Sequence, residues 1–149
     1  MEERRVSISI EIATHATDEL LTSLNQLVPQ LSSSASPLTS NDVEALIANP
    51  AVSVFVAKNE GTIVGTLTLV VFPIPSGLRA WIEDVVVDEG ARGLGAGVAL
   101  TEAAVAESMR RGAKSIDLTS RPSREAANAM YVKLGFEQRE TNVYRLGLK

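Results

Sequence analysis

The chain has 149 residues, no cysteine and a formal net charge of -4, with 45% hydrophobic and 21% charged residues. This length suits one domain, residues 1–149, with a sizeable core, while the missing cysteines exclude disulfides, thiolate metal sites and a cysteine nucleophile, and the negative balance argues against nonspecific nucleic-acid binding, which needs cations to neutralise phosphates. The leading MEERRVSISIEIA lacks the apolar core and small-residue cleavage site of a signal peptide, and no apolar run approaches the roughly 20 residues of a membrane span, so a cytoplasmic protein with no membrane partner is expected.

Val6, Ile8, Ile10 and Ile12 alternate with Ser7, Ser9 and Glu11, the period of a half-buried strand. Thr14 or Thr17 can cap a helix carrying Leu20, Leu21, Leu24, Leu27 and Val28, which Pro29 is expected to end. A serine-rich loop over residues 32–37 leads to a second short helix opened by Leu38-Thr39-Ser40 and stopped after Ala48 by Asn49-Pro50. Residues 51–58 and 62–72 are β-rich and flank Asn59-Glu60-Gly61, which predicts an antiparallel hairpin. Residues 73–77 are expected to turn the chain into a strand over 78–87.

Residues 81–112 then run from strand to glycine-rich turn to helix without a break. Asp88-Glu89-Gly90 ends the strand, Arg92-Gly93-Leu94-Gly95-Ala96-Gly97 forms the turn, and Leu94, Val98, Thr101, Val105 and Met109 are spaced as the apolar face of a helix closed by Gly112. The first amides of a helix lack intrahelical partners and carry partial positive charge, so a backbone bare of side chains predicts a pyrophosphate cradle; close packing of helix on sheet is the alternative use of these glycines. Neither glycine frame gives G-x-G-x-x-G and no Gly-Lys-Ser/Thr follows, which excludes the dinucleotide fingerprint and the nucleotide-triphosphate loop.

Ile116 and Leu118 alternate around Asp117 in a strand over 115–119 that can return parallel to the sheet. Pro122-Ser123 is expected to open a last helix, with Ser123 as cap and Gly135 as its end, and residues 143–148 supply a closing strand. The order is strand, two helices, three strands, helix, strand, helix, then one or two strands. It predicts an α/β (α+β) fold with a mixed, mostly antiparallel sheet of six to seven strands and helices on both faces.

Arg92-x-x-Gly95-x-Gly97 after Val85-Val86-Val87 resembles the acyl-CoA pyrophosphate loop of the GCN5-related N-acetyltransferase (GNAT) superfamily, and Tyr131-Val132-Lys133-Leu134-Gly135-Phe136 resembles its Y-x-x-x-G-F signature. The resemblance covers nearly the whole chain. It implies that the backbone of Val85, Val86 and Val87 pairs with pantetheine, that the amides of Gly93, Leu94, Gly95, Ala96, Gly97 and Val98 hold pyrophosphate with Arg92 adding charge, and that the Tyr131 hydroxyl protonates the departing thiolate. Asn128 lies one turn before Tyr131 and can face the same cleft; Arg124 stands seven residues before it, where the family often has Asn.

Attack on a thioester requires a neutral amine, so a base or a water chain must take a proton. Ile82-Glu83-Asp84 resembles a segment of polyamine-type relatives, and alternation puts Glu83 with Trp81 and Val85 while Asp84 faces the other way, solvated or paired with arginine. Glu83 is the candidate base. His15 has no partner at metal-ligand spacing and is expected at the surface. Together these features imply an N-acetyltransferase using acetyl-CoA as cosubstrate and no metal, acting on a small-molecule or peptide amine, as monomer or homodimer. A noncatalytic acyl-CoA-binding regulatory module is the alternative.

Overall fold

The structure is a computed structural model that describes residues 7–148. The leading MEERR and Val6, the first residue of the predicted first strand, lie outside the described residues. Two compact units divide the chain, Met1–Leu118 and Thr119–Lys149.

In the first unit, β1 (Ile8–Ile12) precedes α1 (Asp18–Leu31) and α2 (Ser40–Ala48). Then come β2 (Val52–Asn59), β3 (Thr62–Ile74), β4 (Gly77–Val87), a 3-10 turn at Glu89–Ala91, α3 (Ala96–Arg110) and β5 (Ser115–Asp117). The five strands form one sheet in the order β1-β2-β3-β4-β5. All neighbours are antiparallel except β4 and β5.

Local chemistry accounts for these elements. Thr17 caps α1 by accepting from the Leu20 amide at 3.1 Å. A capping box opens α2, where the Asp42 carboxylate accepts from the Thr39 amide at 2.8 Å and the Thr39 hydroxyl from the Asp42 amide at 3.2 Å. The β2–β3 hairpin turns on Glu60 and Gly61, both at positive φ (51° and 82°), as the tight turn demands.

Residues opposite one another in an antiparallel pair share a face. Val56, Thr66, Thr68 and Glu83 therefore point to one side, where Val56 packs with Leu20 and Leu24 of α1 and Val43 of α2. Phe55, Leu67, Leu69 and Ile82 point to the other, under α3. Gly65 lies on that second face, and a Cβ there would come within 3.3 Å of Leu100 Cδ1, so its bareness sets how closely α3 approaches. The first unit thus carries helices on both faces of its sheet.

Several expectations are corrected. The sheet has five strands among the described residues, not six to seven: residues 143–148 form none, and Val143, Tyr144, Leu146 and Leu148 are exposed. A β pattern becomes a strand only where its backbone finds a ladder partner, and here the doublet Val143-Tyr144 and Gly147 already interrupt the period of two. The buried stripe of α3 is Ala96, Leu100, Thr101, Ala104 and Ser108, whereas Val98 and Met109 are exposed. Of the expected face Thr101 is buried and Leu94 and Val105 are half-buried, and Thr101 and Ser108 satisfy their buried hydroxyls on the Gly97 and Ala104 carbonyls, each at 2.8 Å.

Pro29 lies inside α1, which runs on to Leu31; so near the helix end, proline removes one intrahelical bond without stopping the helix. Pro73 and Ile74 belong to β3, so the turn into β4 is confined to Pro75 and Ser76. β5 ends at Asp117, two residues before its expected end. In the second unit α4 (Glu125–Lys133) is N-capped by Arg124 with no side-chain hydrogen bond, not by Ser123; Gly135, φ +102°, follows its C-cap Leu134.

Candidate functional site

β4 pairs with β5 only at Arg79↔Ser115, Ala80↔Ile116 and Trp81↔Asp117. Among the described residues no strand covers that edge of β4 from Ile82 to Val87, so its outward backbone groups lack a ladder there. On its other side β4 stays paired with β3 as far as Gly65↔Val87, with one interruption. Glu83 opposes Thr68 and Val86 opposes Thr66, leaving Asp84 and Val85 against the single residue Leu67. This is a β-bulge, and Asp84 takes φ +49° to make it.

The inserted residue corrects the predicted alternation. Trp81 and Glu83 do share a face, but Val86, not Val85, follows them on it. Trp81 donates its indole N–H to Glu83 Oε1 at 2.8 Å, which orients the exposed carboxylate and leaves Oε2 available. Asp84 is exposed and makes no ion pair among the described residues, so of the two expected surroundings, solvent or an arginine, it has solvent. Burial around its carboxyl, and secondarily the adjacent Glu83 charge, raise the Asp84 pKa above the usual carboxylate value.

Beyond β4, the Asp88 amide still bonds the Val64 carbonyl at 2.8 Å, and Asp88 Oδ2 accepts from the Gly90 amide at 3.0 Å. Gly93 and Gly95 then take φ +85° and +83°, the left-handed region that glycine enters without strain. Gly95 is the N-cap of α3 with no side-chain bond, and the first intrahelical bond runs from Ala99 to Gly95 at 3.0 Å. Among the described residues the amides of 93–98 have no hydrogen-bond partner. A Cβ on Gly93 or Gly95 would meet nothing within 4 Å, so at these two positions glycine answers to backbone conformation and not to helix-sheet packing. Unpaired amides at the start of a fifteen-residue helix are a physical fit for an anion. The Arg92 side chain is exposed beside them, while Val86 is buried and Val85 and Val87 half-buried, leaving their backbone as the part that can meet a ligand.

Arg124, Asn128 and Tyr131 all lie on or at the start of α4 in the second unit. Arg124 is exposed. Asn128 is half-buried, and its amide donates to the Arg121 carbonyl at 3.0 Å, which holds the side chain in place. The Tyr131 ring is buried and meets Phe136 edge to face, with centroids 5.7 Å apart. Its hydroxyl is not sealed from solvent and has no partner among the described residues. Burial raises its pKa, partly opposed by the Arg124 charge, so the phenol keeps its proton at neutral pH.

Sequence reading missed Gln30 and Asp88, which meet across 58 positions: Gln30 Nε2 donates to Asp88 Oδ1 at 2.9 Å. Periodicity carries no signal for such a pair. Among the described residues no cluster of three or more His, Cys, Asp or Glu could hold a metal, and no helix is long and apolar enough to cross a membrane.

The fold thus sets an anion-ready loop between a strand with one free edge and a helix. The model of the Acetyltransferase (GNAT) family matches residues 19–136, and the chain belongs to that family, which in general uses acetyl-CoA as cosubstrate. An acetyltransferase of Trypanosoma brucei is 28% identical, with 95% of this chain and 100% of that one covered and a TM-score of 0.77. A candidate acetyltransferase of Agrobacterium tumefaciens str. C58 is 27% identical over 93% of this chain and 99% of its own, TM-score 0.82. A transcriptional regulator of Bacillus halodurans C-125 is 26% identical over 95% and 100%, TM-score 0.79. No curated protein matches the sequence.

Proposed function

We propose that the protein, acting as one domain over residues 1–149, is an N-acetyltransferase that passes the acetyl group of acetyl-CoA to a primary amine by direct attack in a ternary complex. The observation that carries this reading is the run of unpartnered amides at residues 93–98 opening α3 in a chain of this family. Those amides bind the pyrophosphate with Arg92 beside them, and the free edge of residues 85–87 offers backbone groups to the pantetheine arm.

Bound acetyl-CoA supplies the thioester carbonyl that the amine attacks. Glu83, oriented by Trp81, attracts a cationic acceptor and takes its proton directly or through water at the free Oε2. Tyr131, its phenol neutral at pH 7, donates its proton to the thiolate as the C–S bond breaks. Asn128 and Arg124 add contacts to the cofactor from α4. The acceptor class is a small-molecule amine, a polyamine or a peptide N-terminus.

A noncatalytic acyl-CoA-binding regulatory module is the second reading, favoured by the likeness to a protein described as a transcriptional regulator. Release of free thiol from acetyl-CoA across a panel of amines separates the two. Amine-dependent thiol is expected; CoA binding without thiol release on any amine would favour the module. On the best amine, Tyr131→Phe should turn over roughly a hundredfold more slowly, with CoA affinity and melting temperature close to wild type. Wild-type turnover would remove Tyr131 as the acid.

A further inference from the structure

We propose that Gln30, in the last turn of α1, is a positioning residue for the cofactor: its amide pins the corner at Asp88-Glu89 so that the amides of residues 93–98 are preset for pyrophosphate. The inference rests on the acetyl-CoA reading and deepens it.

Three of the four hydrogen-bonding positions of the Gln30 amide are engaged. Nε2 donates to Asp88 Oδ1 at 2.9 Å and lies 3.2 Å from the Gln26 carbonyl of its own helix, while Oε1 accepts from the Glu89 amide at 3.1 Å. These three bonds favour one orientation of the side chain, although it is exposed. The contact also completes the loop's internal bonding. Asp88 Oδ2 takes the Gly90 amide and the Asp88 carbonyl takes the Ala91 amide, so with Gln30 on Oδ1 and on the Glu89 amide the corner is satisfied, and the unpaired amides are those further on.

Charge makes glutamine the fitting residue. Asp88 is an anion four residues short of Arg92, and donors on both of its oxygens draw its charge away from the amides that must meet phosphate. A carboxylate at position 30 would repel it. The arm that presents Gln30 is itself held. Asn25, five residues earlier on α1, donates to the Leu38 carbonyl at 3.0 Å and accepts from the Leu38 amide at 2.8 Å, tying α1 to the entrance of α2.

The test titrates CoA calorimetrically into wild type, Gln30→Ala and Gln30→Glu, and measures KM for acetyl-CoA and kcat on the same preparations. Gln30→Ala should raise the CoA Kd and the acetyl-CoA KM roughly three- to tenfold, as for one or two net hydrogen bonds lost, with kcat within about twofold of wild type. Gln30→Glu should be weaker still near pH 8. Its affinity relative to wild type should recover only as the pH falls to about 4, where an ordinary glutamate carboxyl protonates and can donate to Asp88 again. A purely structural glutamine would lower the melting temperature of both variants and leave CoA affinity and its pH ratio unmoved. Unchanged CoA affinity in Gln30→Ala, with wild type binding normally, overturns this inference alone. Failure of wild type to bind CoA overturns the acetyl-CoA reading and this inference with it.

Discussion

The glycine loop and the β4 bulge are neighbours on one stretch of chain, yet they are built from different materials. The loop is backbone: two left-handed glycines and a row of amides whose arrangement tolerates many side chains elsewhere but not at positions 93 and 95. The bulge is side chains: Glu83 held by an indole, Asp84 strained and partly desolvated, Val85 displaced from its expected face. A site made of amides suits the part of a reaction shared by every turnover, the cofactor. A site made of side chains can be exchanged residue by residue, which suits the acceptor. That division predicts graded consequences.

The largest should fall on the loop. Gly95→Glu forces a side chain into the φ +83° position and aims an anion at the amides, so CoA binding should become undetectable by calorimetry while circular dichroism stays near wild type. Retained affinity would place the cofactor elsewhere.

A smaller, pH-dependent effect is expected at the bulge. Glu83→Gln should lower turnover roughly tenfold to a hundredfold at neutral pH, with partial recovery at higher pH as the acceptor amine loses its own proton. Identical pH profiles for the two proteins would assign the proton to water or another residue. The same substitution should leave CoA affinity alone, since the carboxylate sits on the face opposite α3.

The smallest effect concerns Asp84, and it is on stability. Its pKa is raised in the folded state, so folding favours the protonated carboxyl; that contribution is whole below the ordinary 3.8 and is lost as pH rises through the folded value. At pH 7 the ionised group therefore opposes folding. Asp84→Asn removes the charge and suits φ +49°, since Asn enters the left-handed region more readily than most residues. The gain should stay below about 1 kcal/mol once solvent screening of this exposed group is discounted, and it should shrink when melting is repeated below about pH 4. Turnover should change less than in Glu83→Gln.

What the sequence revealed follows the same division. Glycine identity announces backbone conformation, so Gly93, Gly95 and the Glu60-Gly61 hairpin could be read directly, as could the start of α2 at Leu38-Thr39-Ser40. Periodicity was less dependable because it assumes one residue per step: the bulge at Asp84-Val85 breaks that assumption without leaving a mark in composition. On α3 the three-to-four spacing from Leu94 to Met109 finds Thr101, but the buried stripe is rotated to Ala96, Leu100, Ala104 and Ser108 and leaves Val98 and Met109 in water. The β pattern of residues 143–148 shows the converse, a local preference unmatched by a partner edge. Gln30 and Asp88 could be found only in three dimensions.

The central claim, that the backbone of residues 93–98 receives the cofactor, is tested most directly by nuclear magnetic resonance of the uniformly nitrogen-15-labelled wild-type protein during titration with CoA. The amide resonances of Gly93, Leu94, Gly95, Ala96, Gly97 and Val98 should move together and saturate, and inorganic pyrophosphate should move the same set at higher concentration. Saturable CoA binding that leaves these six amides in place while others shift would contradict the account.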